Sequence, residues 1–277
     1  MAVITFAQLG SYGRLGNQMF QHACLVGLAS RHGLTVAHPN HQFRLREVFD
    51  IPTPILSEMH LTERMMLVQE PKFSYNDSLI PLTPNTNYNL AGYFQTDKYW
   101  KHESDTIRKH FTFKDRSIEK TAKQCIASLR KTKPVVGIGV RRTDYLAAAD
   151  FHGLSLDYYT NALNHIQKTV GSATFLVVSD DPVWCNQFFS KYSEYGEFHV
   201  VAEQFQHPTP DLVELSVLQN VDHVIAANSS FHWWGAWLNQ HQNKMVIIPE
   251  RWFAGRGPKD YQDIACDGWI KCESKPY

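Results

Sequence analysis

The chain has 277 residues, of which 43% are hydrophobic and 13% aromatic, so it can bury one large core or two smaller ones. This composition excludes disordered and fibrous architectures. The 27 basic and 27 acidic side chains give a formal net charge of zero. Proteins that coat nucleic acid or an anionic membrane usually carry a basic excess, so we expect neither as a partner.

The cysteines and the N-terminus bear on the compartment of the protein. Five cysteines form no Cys-x-x-Cys pair, which favours reduced thiols in a cytoplasmic enzyme. A short disulfide between Cys266 and Cys272 is the alternative. The first ten residues lack the basic region of a signal peptide, and no apolar run approaches the ~20 residues that cross a bilayer. We therefore predict a cytoplasmic protein without a transmembrane anchor.

The first half of the chain predicts an α/β lobe with an irregular middle. The expected elements are a strand over 3–8, a helix over 17–30, a strand over 34–38, a strand over 88–94 and a helix over 117–131. Between residues 38 and 88, prolines and polar residues leave no regular pattern. The last helix is expected to connect the two halves.

The second half has a clearer pattern, in which short apolar runs alternate with helix-like segments. The runs cover 134–140, 174–180, 198–203, 223–227 and 245–250. Their valine and isoleucine content without alternation predicts strands covered on both faces, as in a parallel sheet. Asp181 before Pro182 and Thr209 before Pro210 are typical helix starts. We predict two lobes that meet at a cleft, residues 1–130 and residues 131–277, the second of them doubly wound.

Several chemistries are excluded by the absence of their motifs. The chain has no His-Glu-x-x-His, no P-loop and no Gly-x-Ser-x-Gly. It also has no Asp-x-Asp, the usual carboxylate pair for a metal ion that grips a nucleotide diphosphate. A diphosphate bound here would therefore be neutralised by side-chain cations and backbone dipoles.

The strongest candidate for that task is the pair Arg141 and Arg142, which directly follows the run 134–140. Ligands of open α/β sheets bind beyond the carboxyl ends of the strands, and guanidinium groups match phosphate oxygens. The alternative is a surface pair, with Asp144 bound to one arginine.

A second candidate is the segment 228–238, which follows the run 223–227. Ser229 and Ser230 at a strand-to-helix turn can present backbone N–H groups to an anion, although capping of the helix alone is an equal alternative. Of the three tryptophans that follow, at least one is expected to face the core. A third candidate, the turn 10–18, is glycine-rich but does not match the dinucleotide fingerprint, and a purely structural turn is its default interpretation.

Four segments taken together resemble the α1,2-fucosyltransferases of glycosyltransferase family eleven. They are Gly13–Gln21, Gly92–Gln95, Val140–Tyr145 and Asn228–Leu238, with Ile248-Pro249 and Trp252-Phe253 beyond. They occur in the right order along nearly the whole chain. The sets GRLGNQMFQ and NSSFHWWGAWL are the most specific of them.

The resemblance implies a GT-B fold of two Rossmann-like lobes, with the donor site in the C-terminal lobe facing the cleft. It implies inverting transfer of L-fucose from GDP-fucose, without metal or other cofactor, to a hydroxyl of a glycan such as O2 of a terminal β-galactoside. The implied catalytic residues are Asn17, Arg141, Arg142 and Asp144. The implied donor-binding residues are Gly16, Arg141, Arg142, Asp180, Asn228, Ser229, Ser230 and Phe231.

One motif departs from the family pattern, which usually reads His-x-Arg-Arg-Gly-Asp-Tyr. This chain has Gly139 in place of the histidine and Thr143 in place of the glycine. A donor contact from that histidine is therefore missing or comes from another residue, for which His22, His152 and His232 are candidates. Asp144 is a candidate base, but orientation of an adjacent arginine is its favoured role.

Two alternatives remain open from the sequence. One is a fucosyltransferase of another linkage, of the α1,6 or protein O-fucosyl type. The other is a sugar-nucleotide or glycan binding protein without catalysis, which the Gly139 substitution keeps open. The acceptor and the oligomeric state are not predicted.

Overall fold

Two all-parallel sheets organise the chain in a computed structural model that describes residues 2–56, 65–79, 83, 85–130, 132–147 and 153–274. Each sheet belongs to a separate unit. The first unit consists of Met1–Asp115 and Asp260–Cys266, and the second of Arg116–Lys259 and Asp267–Tyr277. The predicted α/β class is confirmed, and the sheets of both units are parallel.

The first unit is built on a four-stranded sheet in the order β2-β1-β4-β3. Its elements are β1 Val3–Thr5, α1 Leu15–His32, β2 Thr35–Ala37, α2 Arg44–Val48, β3 Met66–Gln69, β4 Tyr88–Ala91 and α3 Ser104–His110. Fourteen of the 18 residues of α1 are buried, so this helix is the centre of the unit rather than a surface element. It ends at Gly33, whose φ of +64° is the left-handed conformation that favours glycine.

The predicted strands of the first half are longer than the observed ones. β1 stops at Thr5 because a turn follows, in which the N–H of Leu9 donates to the carbonyl of Phe6 at 3.0 Å. β4 stops at Ala91 because Gly92 and Phe94 adopt φ values of +147° and +52°, outside the extended region.

A segment from near the end of the chain, Asp260–Cys266, completes the first unit. The Asp260 carboxylate accepts hydrogen bonds from the backbone N–H and the hydroxyl of Ser74, at 3.0 and 3.1 Å. Asp263 accepts from the backbone N–H of Tyr75 at 3.0 Å and pairs with the Lys98 ammonium group at 2.5 Å.

The second unit is built on a six-stranded sheet in the order β7-β6-β5-β8-β9-β10. Numbered within the unit, this is the doubly wound order 3-2-1-4-5-6. Its elements are α4 Arg116–Leu129, β5 Val135–Val140, α5 Leu156–Thr169, β6 Ala173–Ser179, α6 Pro182–Phe189, β7 Gly196–Val200, α7 Pro210–Asn220, β8 His223–Ile225, α8 Ser230–Leu238, β9 Val246–Pro249 and β10 Ile270–Cys272. The five predicted strands are confirmed, whereas β10 was not predicted.

Both predicted helix starts of this unit are confirmed, but they differ in chemistry. Asp181 caps α6 by accepting from the backbone N–H of Trp184 at 3.1 Å, whereas Thr209 makes no side-chain capping bond to α7. The helix over 116–129 is α4, which packs on α7 and thus belongs to the second unit.

All five cysteines are free thiols, Cys266 and Cys272 included. Within the described ranges, no helix has both the length and the apolar character that crossing a bilayer requires.

Candidate functional site

The centre of the second sheet brings two of the predicted motifs together. β5 lies between β6 and β8, and the chain leaves β5 and β8 toward opposite flanks of the sheet, which defines the switch point where open α/β sheets bind ligands. The motif after β5 and the motif after β8 are joined by a hydrogen bond of 3.0 Å from the Tyr145 hydroxyl to the Asn228 carbonyl.

Asp180, at the end of β6, holds the backbone of the motif after β5. One carboxylate oxygen accepts from the N–H of Arg142 at 2.9 Å, and the other accepts from the N–H and the hydroxyl of Thr143 at 3.2 and 2.5 Å. Thr143 therefore adds a bond that the family's glycine has no side chain to make. Asp180 is one of the donor-binding residues that the resemblance implies. Because both of its oxygens accept bonds from this turn, we also expect it to position the motif after β5.

Arg141 is held between two carboxylates. Its guanidinium group pairs with Asp144 at 2.7 Å and with Asp180 at 3.3 Å, and it lies 5.5 Å from the centre of the Tyr145 ring. The side chain remains 19% exposed. A guanidinium group carries five N–H donors, so two carboxylates fix its orientation and leave donors for an anion. The pairing of Asp144 agrees with its favoured role as an orienting group.

Arg142 is held differently, by a stack. Its guanidinium group lies 3.9 Å from the centre of the Trp184 ring on α6, and its Nε donates to Asp181 at 3.3 Å. Asp181 thus binds Arg142 with one oxygen and caps α6 with the other. This couples the direction of Arg142 to the start of a helix.

The start of α8 presents the second predicted motif. Ser229 occupies the N-cap position but makes no side-chain capping bond, so the capping interpretation is not observed for its hydroxyl. Ser230 and Phe231 form the first turn, where backbone N–H groups and the helix dipole favour an anion. The Asn228 amide donates to the Trp252 carbonyl at 3.1 Å and fixes the turn. Trp233, Trp234 and Trp237 are all buried, which confirms the expected core role.

His232, in the first turn of α8, lies against Gly139 of β5. A Cβ at residue 139 would come within 2.5 Å of the His232 ring, so a side chain there would require the ring to move. Burial, together with the nearby Arg141 charge, lowers the pKa of His232 to about 3, so its ring is neutral at neutral pH.

The other two candidate histidines are placed elsewhere. His152 lies outside the described residues. His22 lies in the first unit, where both ring nitrogens are bonded, to His38 at 2.9 Å and to His110 at 3.0 Å. Burial lowers the pKa of His22 well below its usual value and that of His38 to about 3.

Sequence reasoning missed Glu214, a residue of α7. Burial, and after it the charge of Asp211, raise the pKa of Glu214 to about 8, although a hydrogen bond from the backbone of Ser179 acts to lower it. The site therefore contains a carboxyl group that is largely protonated at neutral pH. Nothing in the sequence distinguishes it from an exposed glutamate on a helix.

The two predicted motifs of the first half also come together, within the first unit. β1 and β4 are neighbours, so the turn 10–18 and the segment 92–95 follow adjacent strand ends. The side-chain amide of Gln95 donates to the side-chain oxygen Oδ1 of Asn17 at 2.7 Å. Gly13 has φ +78°, and a Cβ there would clash with Asn17. Gly16 is buried within α1.

Glu70 stabilises the unusual backbone of the segment 92–95. Its carboxylate accepts from the N–H groups of Tyr93 and Phe94 at 2.6 and 2.9 Å, although burial still raises its pKa to about 7. Phe94 has φ +52°, a costly conformation for a residue other than glycine, which persists only where the surroundings determine it. Backbone strain of this kind clusters at ligand sites.

In the part of the chain that the structure describes, no three or more His, Cys, Asp or Glu side chains are grouped to hold a metal ion. The metal-free chemistry implied by the resemblance remains a prediction.

Comparison with known proteins agrees with this architecture. The α1,6-fucosyltransferase NodZ soaked with GDP-fucose has a similar fold, with a TM-score of 0.53 over 86% of this chain and 92% of NodZ, at 13% sequence identity. The fold is thus of the GT-B type, the class in which two Rossmann-like units carry a glycosyltransferase site. Residues 5–273 match the model of glycosyl transferase family 11, and the chain belongs to this family.

Two curated relatives are similar to this chain in sequence. An α-1,2-colitosyltransferase of Escherichia coli is 28% identical over 66% of this chain and 62% of the relative. The galactoside 2-α-L-fucosyltransferase Sec1 of Mus musculus is 26% identical over 82% of this chain and 62% of the relative. The chain therefore spans less than two thirds of the length of either relative.

Proposed function

We propose that the protein transfers L-fucose from GDP-fucose, with inversion, to O2 of a terminal β-galactoside of a glycan. The observation that carries the proposal is the set of groups at the switch point of the second sheet. There, Arg141, Arg142 and the start of α8 offer guanidinium and amide donors without a metal-ligand cluster among the described residues.

The chemistry requires stabilisation of negative charge on the leaving GDP. As the bond between the sugar and the phosphate oxygen breaks, charge develops on the diphosphate and the sugar gains oxocarbenium character. Guanidinium and amide donors that are fixed beforehand stabilise this charge without reorganisation. The carboxylates of Asp144 and Asp180 supply that fixation for Arg141. We assign both as positioning residues, and Arg141 and the N–H groups of Ser229–Phe231 as diphosphate ligands.

The relatives support the finer parts of the proposal. NodZ was soaked with GDP-fucose, which supports this donor. The names of both curated relatives specify 1,2 linkages or a 2-α transfer, and one specifies a galactoside acceptor. The colitosyltransferase favours one second candidate, in which the transferred sugar is colitose.

The test is to incubate the protein with GDP-fucose or GDP-colitose and a panel of β-galactosides, and to determine the linkage of the product by NMR. We expect GDP release that depends on the acceptor and a fucose on O2 of galactose. A 1,6 linkage, a peptide hydroxyl as acceptor, or preference for GDP-colitose would each replace the proposal. GDP-fucose binding without transfer to any acceptor would indicate a binding protein.

A further inference from the structure

Gly139 and His232 compete for one position in the second unit. Gly139 lies in β5 beside Val178 of β6, one residue before the strand ends. The Cβ that glycine lacks would lie 2.5, 2.6 and 2.9 Å from Cγ, Nδ1 and Cδ2 of the His232 ring. Because Cβ contacts below 3.0 Å essentially never occur, a side chain at residue 139 and the ring of His232 in its present position are incompatible. The His232 ring can therefore occupy its position only because residue 139 is a glycine.

The His232 ring has an unused hydrogen-bonding atom. The residue is 4% exposed, and its Nδ1 is buried without a partner. A buried polar atom without a partner is uncommon and costs free energy, which a ligand that binds it would recover. Since burial keeps the ring neutral, one nitrogen carries a hydrogen and can donate it without adding charge.

The surroundings identify the ligand chemistry. His232 is the third residue of α8, so its ring stands at the helix start whose N–H groups favour anions. Arg141, two residues after Gly139, adds a positive charge that acts on the ring. A helix start, a guanidinium group and a neutral donor at one place match an anionic oxygen better than a sugar hydroxyl or a cation.

We propose that His232 is a donor-binding residue whose Nδ1–H donates a hydrogen bond to a diphosphate oxygen of the sugar nucleotide. The imidazole that the family pattern places at residue 139 is thus supplied here from α8. This inference rests on the proposed function, since it assigns one more ligand to the same nucleotide. It distinguishes His232 from the tryptophans that follow it, which serve the core.

The first test compares GDP binding by calorimetry for His232→Leu and His232→Asn. The Asn amide nitrogen branches from Cγ as Nδ1 does and retains a donor, whereas Leu removes it at similar size. We expect Leu to weaken GDP binding by about tenfold or more, and Asn to stay within about threefold of wild type. Equal GDP affinity for wild type and a folded Leu variant, or an equal loss in Leu and Asn, would overturn the inference.

A second test moves the imidazole back. Gly139→His alone should lower the melting temperature because of the clash, and His232→Gly alone should weaken GDP binding. The double variant should recover both stability and GDP affinity. A double variant that binds GDP no better than His232→Gly contradicts the inference.

Failure of the inference can be separated from failure of the proposed function. If Arg141→Ala abolishes GDP binding while His232→Leu leaves it intact, only the inference fails. If the wild type binds GDP and His232 matters but no fucose is transferred, the proposed function fails and the inference stands.

Discussion

Arg141 and Arg142 are adjacent in the chain but are held by different contacts, so we expect their substitution to have different effects. Arg141 is fixed by carboxylates that leave part of its guanidinium group accessible, whereas Arg142 is stacked on a ring and bonded to a helix cap. Their position after a strand was predictable from sequence because apolar runs locate strand ends. Their partners Asp180, Asp181 and Trp184 come from the next strand and helix, and sequence spacing does not encode such contacts.

Replacement of Arg141 by Ala should lower kcat by roughly 100-fold, on the order of 3 kcal/mol of lost transition-state stabilisation. The matched control is Arg116→Ala, since Arg116 is exposed at the start of α4. Steady-state kinetics with GDP-fucose measures both. Near wild-type turnover in Arg141→Ala would exclude the residue as a diphosphate ligand.

Replacement of Arg142 by Ala should also affect folding, because it removes the stack on Trp184 and the partner of Asp181. We expect the free energy of unfolding to fall by about 1 kcal/mol, a typical value for a partly buried cation–π contact. Urea denaturation of Arg142→Ala and Arg141→Ala side by side measures the difference. A loss no larger than in Arg141→Ala would mean that the stack contributes little.

At the scale of elements, local signals predicted the well-patterned half better than the other. Apolar runs and proline starts located five strands and two helix starts of the second unit. In the first half, α2 and β3 fall between residues 38 and 88, where α2 has only five residues and three of the four residues of β3 are exposed. Such elements carry too few buried residues for a periodic pattern. β10 was missed for the same reason, because it is short and half exposed.

The two proline-started helices allow a matched test of capping. Asp181→Ala should lower the free energy of unfolding by about 1 kcal/mol, because it removes a cap that accepts from the Trp184 N–H. Thr209→Ala should cost clearly less, since Thr209 makes no capping bond. Asp181→Asn, which retains an accepting oxygen, is the control. Equal losses at the two positions, measured by denaturation, would contradict the assignment.

At the scale of the whole molecule, the balance of charge and the absence of an Asp-x-Asp pair bear on metal dependence. We expect transferase activity to persist in excess EDTA, because the diphosphate charge is met by guanidinium and amide groups. The assay is GDP release after extensive chelation and dialysis. Complete loss that Mn²⁺ or Mg²⁺ restores would overturn the metal-free mechanism.

The stability of the protein should fall with pH below about 6.5, the usual pKa of histidine in an unfolded chain. His22, His38 and His110 have lowered pKa values in the folded state, mainly because of burial. As the pH falls, the unfolded state therefore binds protons that the folded state does not bind. This difference persists until the pH reaches the pKa of each histidine in the folded state, which is about 3 for His38. Glu70 and Glu214 affect stability in the opposite direction, because burial raises their pKa values to about 7 and about 8. Their contribution to stability is lost as the pH rises from about 4.5 through these values.

Comparison of the wild type with His38→Gln isolates one of these groups. Between pH 6 and 4, the free energy of unfolding of the wild type should change more steeply, by about 1.4 kcal/mol per pH unit. Denaturation curves at several pH values give the two slopes, and the shared contributions of the carboxylates cancel in their difference. Parallel slopes would show that His38 is protonated equally in both states.

The return of residues 260–266 to the first unit has a consequence for how the protein is made. During synthesis, residues 1–115 leave the ribosome long before residues 260–266, which carry Asp260 and Asp263. The first unit is therefore incomplete until most of the second unit has been synthesised. An N-terminal fragment that ends near residue 115 lacks residues 260–266, and a C-terminal fragment that begins near residue 131 lacks α4. We expect a fragment of residues 1–115 to fold stably only when residues 260–266 are added as a separate peptide or are joined to it through a flexible linker.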